Sequence, residues 1–476
     1  MDAWHSYERR NTMNRRYILF YTLIGCLLIL SQATQAQKGF KLPKYEKFKL
    51  RNGLTVYLLS QKEVPLIQAS VVFDAGAIHD GSKPGLAGIT ADALTFGTKT
   101  QTKAQIEAAT DFVGANFGTG AALEYAQVSM SFAKKDQEKM MAILKDVLMN
   151  PAFDTKEFEK AKKRKLLQLD QAKESPSRVI GSYYNKLLYG QHPYGNPTQG
   201  TKEGLESISI DDIKAFFKKQ YTTDRAAIAV VGDFEKRAMK AKLKQLFGKW
   251  KTKRSTSKRL SKPAMQYNQS QVVLVDKEDS RETTFFIGGK GVPRSNQDLI
   301  AIQVINTILG GRFTSWLNDA LRVNSGLTYG ARSSWVNNKL SGSFYIYSYT
   351  KTKTTIEAID MALGVLDSLH KYGVDQKTLS SAKNYVKGSF PTRYERNSSL
   401  ASLLTSMFIY GYNESFINNF EKNVNSLTVA KVKQVVKQYF PKNNLQFVLV
   451  GKASAIRDKV KKYGKITDKK ITARGF

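Results

Sequence analysis

Residues 207–233, SISIDDIKAFFKKQYTTDRAAIAVVGD, and residues 426–452, SLTVAKVKQVVKQYFPKNNLQFVLVGK, superpose without a gap at an offset of 219. Ser207 falls on Ser426, Lys214 on Lys433, Lys218 on Lys437, Val231 on Val450 and Gly232 on Gly451. Apolar positions match as well: Ile213 with Val432, Phe217 with Val436, Tyr221 with Phe440. Each copy reads as an amphipathic helix followed by a strand that ends at a glycine. Upstream, KLLYG (186–190) echoes MFIYG (407–411). The chain is a duplication, and repeats of this length decide a fold before any motif does.

Working outward, KTKRSTSKRLSKPAM (251–265) is basic, serine-rich and broken by Pro263, which marks a linker. In the first half, LTVYLLS (54–60), IQASVVF (67–73) and YAQVSMSF (125–132) alternate like half-buried strands. DQEKMMAILKDVLM (136–149) predicts a helix opened by Asp136, and Asp154 with Glu157 predicts a capping box on the next one. In the second half TTFFIGG and SGSFYIYSY read as strands and TIEAIDMALGVLDSLHKYG as a helix. The expected class is α+β: two homologous α/β-sandwich domains, each a mostly antiparallel sheet with helices over one face. The boundaries expected are 37–250, a linker 251–266, and 267–476.

At 476 residues the chain exceeds one core, and 42% hydrophobic residues allow large ones. The N-terminus is different. Asn14-Arg15-Arg16 precedes the apolar YILFYTLIGCLLIL (17–30) and the small residues of SQATQA, the pattern of a signal peptide over 1–36. Export, to the periplasm, is the expectation. Cys26, the single cysteine, lies in LIGC and offers lipidation as an alternative, but the apolar run continues past it to Leu30. Cleavage after Ala36 leaves no thiol, hence no disulfide. Residues 1–36 hold four arginines and two acids, so the net charge of +34 becomes +32. The lysines are interspersed with acids, as in KEFEKAKKRK, without a stripe of aromatics, so solvated helix faces are expected rather than nucleic acid. Membrane contact is expected only through an uncleaved or lipidated N-terminus.

The stretches FKLRNGLTVYLL, GLAGITADALTFGTKT, NPAFDTKEFEKAKKRKL, YGQHPYGNPTQGTKEGLESISIDDIKAFFKKQY and LGGRFTSWLNDALRVNSGLTYG together resemble the pitrilysin/insulinase family of zinc peptidases. The resemblance runs from about residue 45 to the C-terminus. Active members carry an inverted H-x-x-E-H motif on the helix after the G-L-A turn. Histidines at i and i+4 share a helix face and a metal, and the glutamate at i+3 reaches the bound water. A second glutamate on a downstream helix completes the three protein ligands. Here the histidine positions are Gly88 and Asp92, the glutamate position is Ala91, and counting back from Ser175-Pro176 puts the last ligand on Gln168. The expectation is therefore no zinc in this chain. His79, His192 and His370 are scattered and read as structural, with His370 a cation at a helix end.

The second half keeps what the resemblance implies for the other part of the site. Arg322 and Tyr329, seven residues apart in LRVNSGLTYG, match an arginine–tyrosine pair that reaches substrate at the zinc of another domain or subunit. An arginine fork can hold a peptide carbonyl, and a tyrosine hydroxyl can donate to a developing oxyanion. The resemblance implies a non-catalytic subunit, inactive alone, whose partner is a homologue with an intact H-x-x-E-H and whose substrate is a peptide. The alternative is a peptidase homologue that serves only as a binding or scaffold protein. An independent enzyme has no support: no nucleophile elbow, P-loop or paired-carboxylate arrangement stands out.

Overall fold

The computed structural model describes residues 39–254, 260–265 and 267–476. The signal-peptide reading, Cys26 included, and part of the linker lie outside them. Leu42–Phe476 forms one compact unit.

Twelve strands make two six-stranded sheets among the described residues. The first holds β1 (Glu46–Lys49), β2 (Thr55–Ser60), β3 (Leu66–Phe73), β4 (Asn116–Ala121), β5 (Ala126–Ala133) and β6 (Ala226–Gly232), in the order β1-β2-β6-β3-β5-β4. The second holds β7 (Gln271–Asp276), β8 (Glu282–Gly291), β9 (Ala331–Asn337), β10 (Gly342–Lys351), β11 (Gln446–Gly451) and β12 (Lys465–Lys470), in the order β12-β7-β11-β8-β10-β9. Five strands of each sheet follow the same order, and only the edge strands β1 and β12 differ, β1 antiparallel to β2 and β12 parallel to β7. Only β2–β6, β7–β11 and β12–β7 run parallel. The repeated segments fold alike: the helix Ile210–Gln220 leads to β6, and Val429–Tyr439 leads to β11. Ser209 and Thr428, also 219 apart, each cap their helix by accepting a backbone N–H. Gly232, with φ of +138°, lies so near β3 that an added Cβ would sit 2.1 Å from the Leu66 carbonyl. No other residue fits there.

Helices of the same half cover one face of each sheet. The second face is covered by a helix from the opposite half. Pro176–Tyr189 packs on β8 and β11, and its repeat equivalent Asn397–Tyr410 packs on β3 and β6. That exchange explains why β6 and β11 are buried along their whole length. Tyr184 seals one crossing by donating its hydroxyl to the Phe344 carbonyl at 2.6 Å. The β4–β5 and β9–β10 turns also meet. Glu124, 5% exposed, accepts the Tyr194 hydroxyl and the Lys339 N–H, the latter at 3.0 Å. Burial raises its pKa while these donors lower it. Beside this junction lies a cavity of about 660 Å³ lined by Asp74, His79, Glu124, Tyr194, Arg225 and Lys339.

Candidate functional site

GLAGITADAL folds as the helix Leu86–Ala93, entered through Gly85 at φ +105°. A Cβ on Gly85 would meet Leu205 Cδ2 at 2.7 Å, so the turn needs glycine for both space and dihedral. Asp80, almost fully buried, accepts the N–H groups of Gly85 at 2.8 Å and Ala87 at 2.7 Å. It thereby satisfies orphan donors at the helix start. Burial pushes its carboxyl up to about 7, against the pull of those two donors. Neighbouring His79 is held at about 4 by burial, so its ring is neutral at pH 7. It sits 3.0 Å from Asp74, whose other oxygen is engaged by Arg225.

Gly88 and Asp92 share the half-exposed face of this helix, while Ala91 is fully buried. The structure brings a residue to that face that the motif does not contain. Lys165, on the packed helix Thr155–Lys173, places its ammonium 2.8 Å from Asp92 Oδ2. The same nitrogen is 3.9 Å from where a Cβ on Gly88 would stand. An ammonium thus occupies the space between the two former histidine positions. Gln168, one turn further along, is exposed and its side chain hydrogen-bonds to no described residue. Beneath the pair, the buried Tyr221 hydroxyl hydrogen-bonds to no described residue; burial and then the nearby Asp92 charge raise its pKa. These residues do not fit a zinc ion: two positions lack donor atoms, and the third already holds a fixed cation that would repel a metal. Among the described residues no group of three or more His, Cys, Asp or Glu could hold one.

The other histidines have local roles. His192 accepts the Tyr194 N–H on Nδ1 and lies 3.0 Å from the Ser261 carbonyl. His370 corrects the expectation of a helix-end cation: burial first, then Lys442, lowers its pKa, and its buried Nε2 hydrogen-bonds to no described residue. The capping box at Asp154 is half formed. Asp154 accepts the Glu157 N–H at 2.9 Å, but the Glu157 carboxylate turns to Lys103 and Lys160 instead.

Arg322 and Tyr329 sit in the second half, on a segment that packs against the helix Thr355–Tyr372 rather than on the face of Gly88 and Asp92. The Arg322 guanidinium makes no ion pair with a described residue and lies 4.6 Å from the ring centroid of Phe313. Phe313 is 66% exposed and Tyr329 81% exposed. Buried groups fix the loops that present them. Asn318 donates to the Phe313 carbonyl at 2.7 Å and accepts the Ala331 N–H at 3.3 Å. Thr350 donates to the Leu327 carbonyl at 2.7 Å and Ser348 to that of Gly330 at 3.0 Å. Lys165, Phe313 and Asn318 are absent from the sequence reading; only the i,i+3 relation of Lys165 to Gln168 hinted at the first.

Comparison with known proteins settles the lineage. Residues 55–202 match the model of insulinase, peptidase family M16, and residues 207–386 match that of the peptidase M16 inactive domain. The chain belongs to peptidase family M16. It is 24% identical over 415 residues to the "Non-peptidase homolog YmxG" of Helicobacter pylori, covering 84% of this chain and 94% of that protein. It is 23% identical over 399 residues to the "Uncharacterized zinc protease YmxG" of Bacillus subtilis, covering 83% and 95%. A solved peptidase M16 inactive domain from Pseudomonas fluorescens superposes with a TM-score of 0.81 at 25% identity, covering 86% of this chain and 98% of that one. A protease from Helicobacter pylori gives 0.80 at 19% identity, covering 86% and 100%, a likeness of fold. A short match to the mother cell inhibitor of FtsZ, residues 437–466, falls on β11 and its flanks, which are integral to the second sheet. The chain is thus an inactive homologue of the M16 peptidases.

Proposed function

We propose that this chain is the metal-free subunit of an exported, two-subunit M16 peptidase, delivered to the periplasm by its N-terminal signal. The single observation that carries the reading is the Asp92–Lys165 ion pair standing where active relatives bind their metal. The domain still folds and still forms one wall of a peptide chamber. The metal and the attacking water belong to a homologous partner. This chain contributes Arg322, which holds a substrate carbonyl, and Tyr329, whose hydroxyl donates to that carbonyl oxygen as it becomes tetrahedral. Their exposure and the lack of an ion pair at Arg322 suit groups kept free for a substrate.

The test is peptide cleavage by the reconstituted pair, with assembly followed by size-exclusion chromatography. Tyr329→Phe is expected to assemble and to lose roughly a hundred- to a thousandfold in kcat. Arg322→Ala is expected also to raise KM, because it acts before the transition state as well as in it. The name of the Helicobacter relative favours a second reading, a binding or scaffold protein without any part in proteolysis. That reading expects both variants to cleave at the wild-type rate.

A further inference from the structure

Among the described residues Arg322 meets a ring and no acid. Its guanidinium carbon lies 4.6 Å from the Phe313 ring centroid, and its side chain hydrogen-bonds to no described residue. Asp319, one turn earlier on the same segment, makes no ion pair with it. The neighbouring arginine behaves differently. Arg312 lies 5.9 Å from the Tyr385 centroid but also spends its donors, Nε on the Thr314 carbonyl at 3.3 Å and Nη1 on the Ser381 hydroxyl at 3.0 Å. Those bonds tie the backbone around Phe313 to the helix Gln376–Thr392. Asn318, 4% exposed, donates to the Phe313 carbonyl at 2.7 Å. The place of the Phe313 ring is thus set by its backbone, since a ring 66% exposed gains little from burial.

A guanidinium is planar and carries five N–H donors. A carboxylate partner takes two of them at once as a bidentate pair. A ring attracts the cation through its quadrupole and leaves donors for another acceptor. We propose that Phe313 is a positioning residue: its ring holds the Arg322 guanidinium in place and keeps the fork free for a peptide carbonyl. The proposal rests on the reading above that Arg322 meets substrate, and adds the group that orients it. A ring contact by itself is not the argument. Arg332 of β9 lies as close to the Tyr347 centroid, at 4.6 Å, and supplies the control. What sets Arg322 apart is the combination of a ring, an uncommitted set of donors and the exposed Tyr329 seven residues on.

The experiment has two arms. In the first, the chain from Gln37 onward is made with isotope-labelled arginine, and the Arg322 side-chain resonances are assigned by their loss in Arg322→Lys. They are expected upfield of free arginine, where the ring current places them. Phe313→Leu is expected to return them to the free position and Phe313→Trp to keep them shifted. In the second arm the reconstituted pair cleaves peptide. Phe313→Leu is expected to assemble and to raise KM, as Arg322→Ala does, losing about ten- to a hundredfold in kcat/KM. Phe313→Trp is expected to restore most of that rate. Phe313→Leu is expected to add no further loss to Arg322→Ala, because both remove the same contact. Arg332→Gln is expected to cleave at the wild-type rate. Unshifted Arg322 resonances in the wild type, additive losses, or an equal loss in Arg332→Gln overturn the proposal. So does wild-type cleavage by Phe313→Leu where Arg322→Ala is impaired. Wild-type cleavage by Arg322→Ala overturns the reading beneath it instead, and the resonances alone then decide whether the ring holds the guanidinium.

Discussion

A lysine and an aspartate, Lys165 and Asp92, hold the space around which active members of this family are built. Both are partly buried, 21% and 31% exposed at the side chain, so the pair is worth more than a surface bridge and less than a buried one. Lys165→Met strands the Asp92 carboxylate between two helices and is expected to cost about 1–2 kcal/mol. Combining it with Asp92→Leu should recover part of that loss, a coupling of about 1 kcal/mol in a double-mutant cycle by urea denaturation. Additive losses would mean that the two side chains do not act as a unit. The sequence showed that donors were missing at Gly88 and Ala91, since a residue type is legible by inspection. It did not show what replaced them. Gln168 was reached by counting along a helix, whereas Lys165 works from one turn earlier, and a long flexible side chain reaches places that spacing does not encode.

At the scale of elements, the duplication is visible in the sequence because buried helices and strands constrain which residues they accept. The exchange of helices is not. An apolar stripe on Pro176–Tyr189 says that one face is buried, and nothing about which sheet buries it. β4, Asn116–Ala121, was not expected either: NFGTGA carries two glycines and little apolar alternation, and it is a strand because β5 pairs with it. The exchanged helices make a testable commitment. Tyr184→Phe removes the donor to the Phe344 carbonyl, which stays buried in the opposite half. Gly288 makes room for that hydroxyl, since a Cβ there would lie 2.6 Å from the Tyr184 oxygen. A loss of about 1–3 kcal/mol is expected in urea denaturation, with a single transition preserved because the two halves share their cores. Two resolved transitions would contradict that intertwining.

At the scale of the molecule, one half of the duplication carries the Asp92–Lys165 ion pair and the other an arginine and an exposed tyrosine on loops held by buried hydrogen bonds. Asn318 tests that division without touching either of them. It is 4% exposed and joins the Phe313 carbonyl to the Ala331 N–H, the two sides of the loop that carries Tyr329. Asn318→Ala is expected to cost about 1–3 kcal/mol and to lower kcat of the reconstituted pair, with assembly retained. The two-subunit architecture and exported location proposed above would explain why so incomplete a site persists on an intact fold. An ion pair, Asp92–Lys165, stands in this chain in place of a metal. Its most direct test is zinc titration of the purified chain, made without a polyhistidine tag, followed by metal analysis and a peptide-cleavage assay. Well under one-tenth of a zinc per chain and no cleavage are expected. About one zinc per chain, with cleavage lost on chelation and restored by zinc, would contradict it.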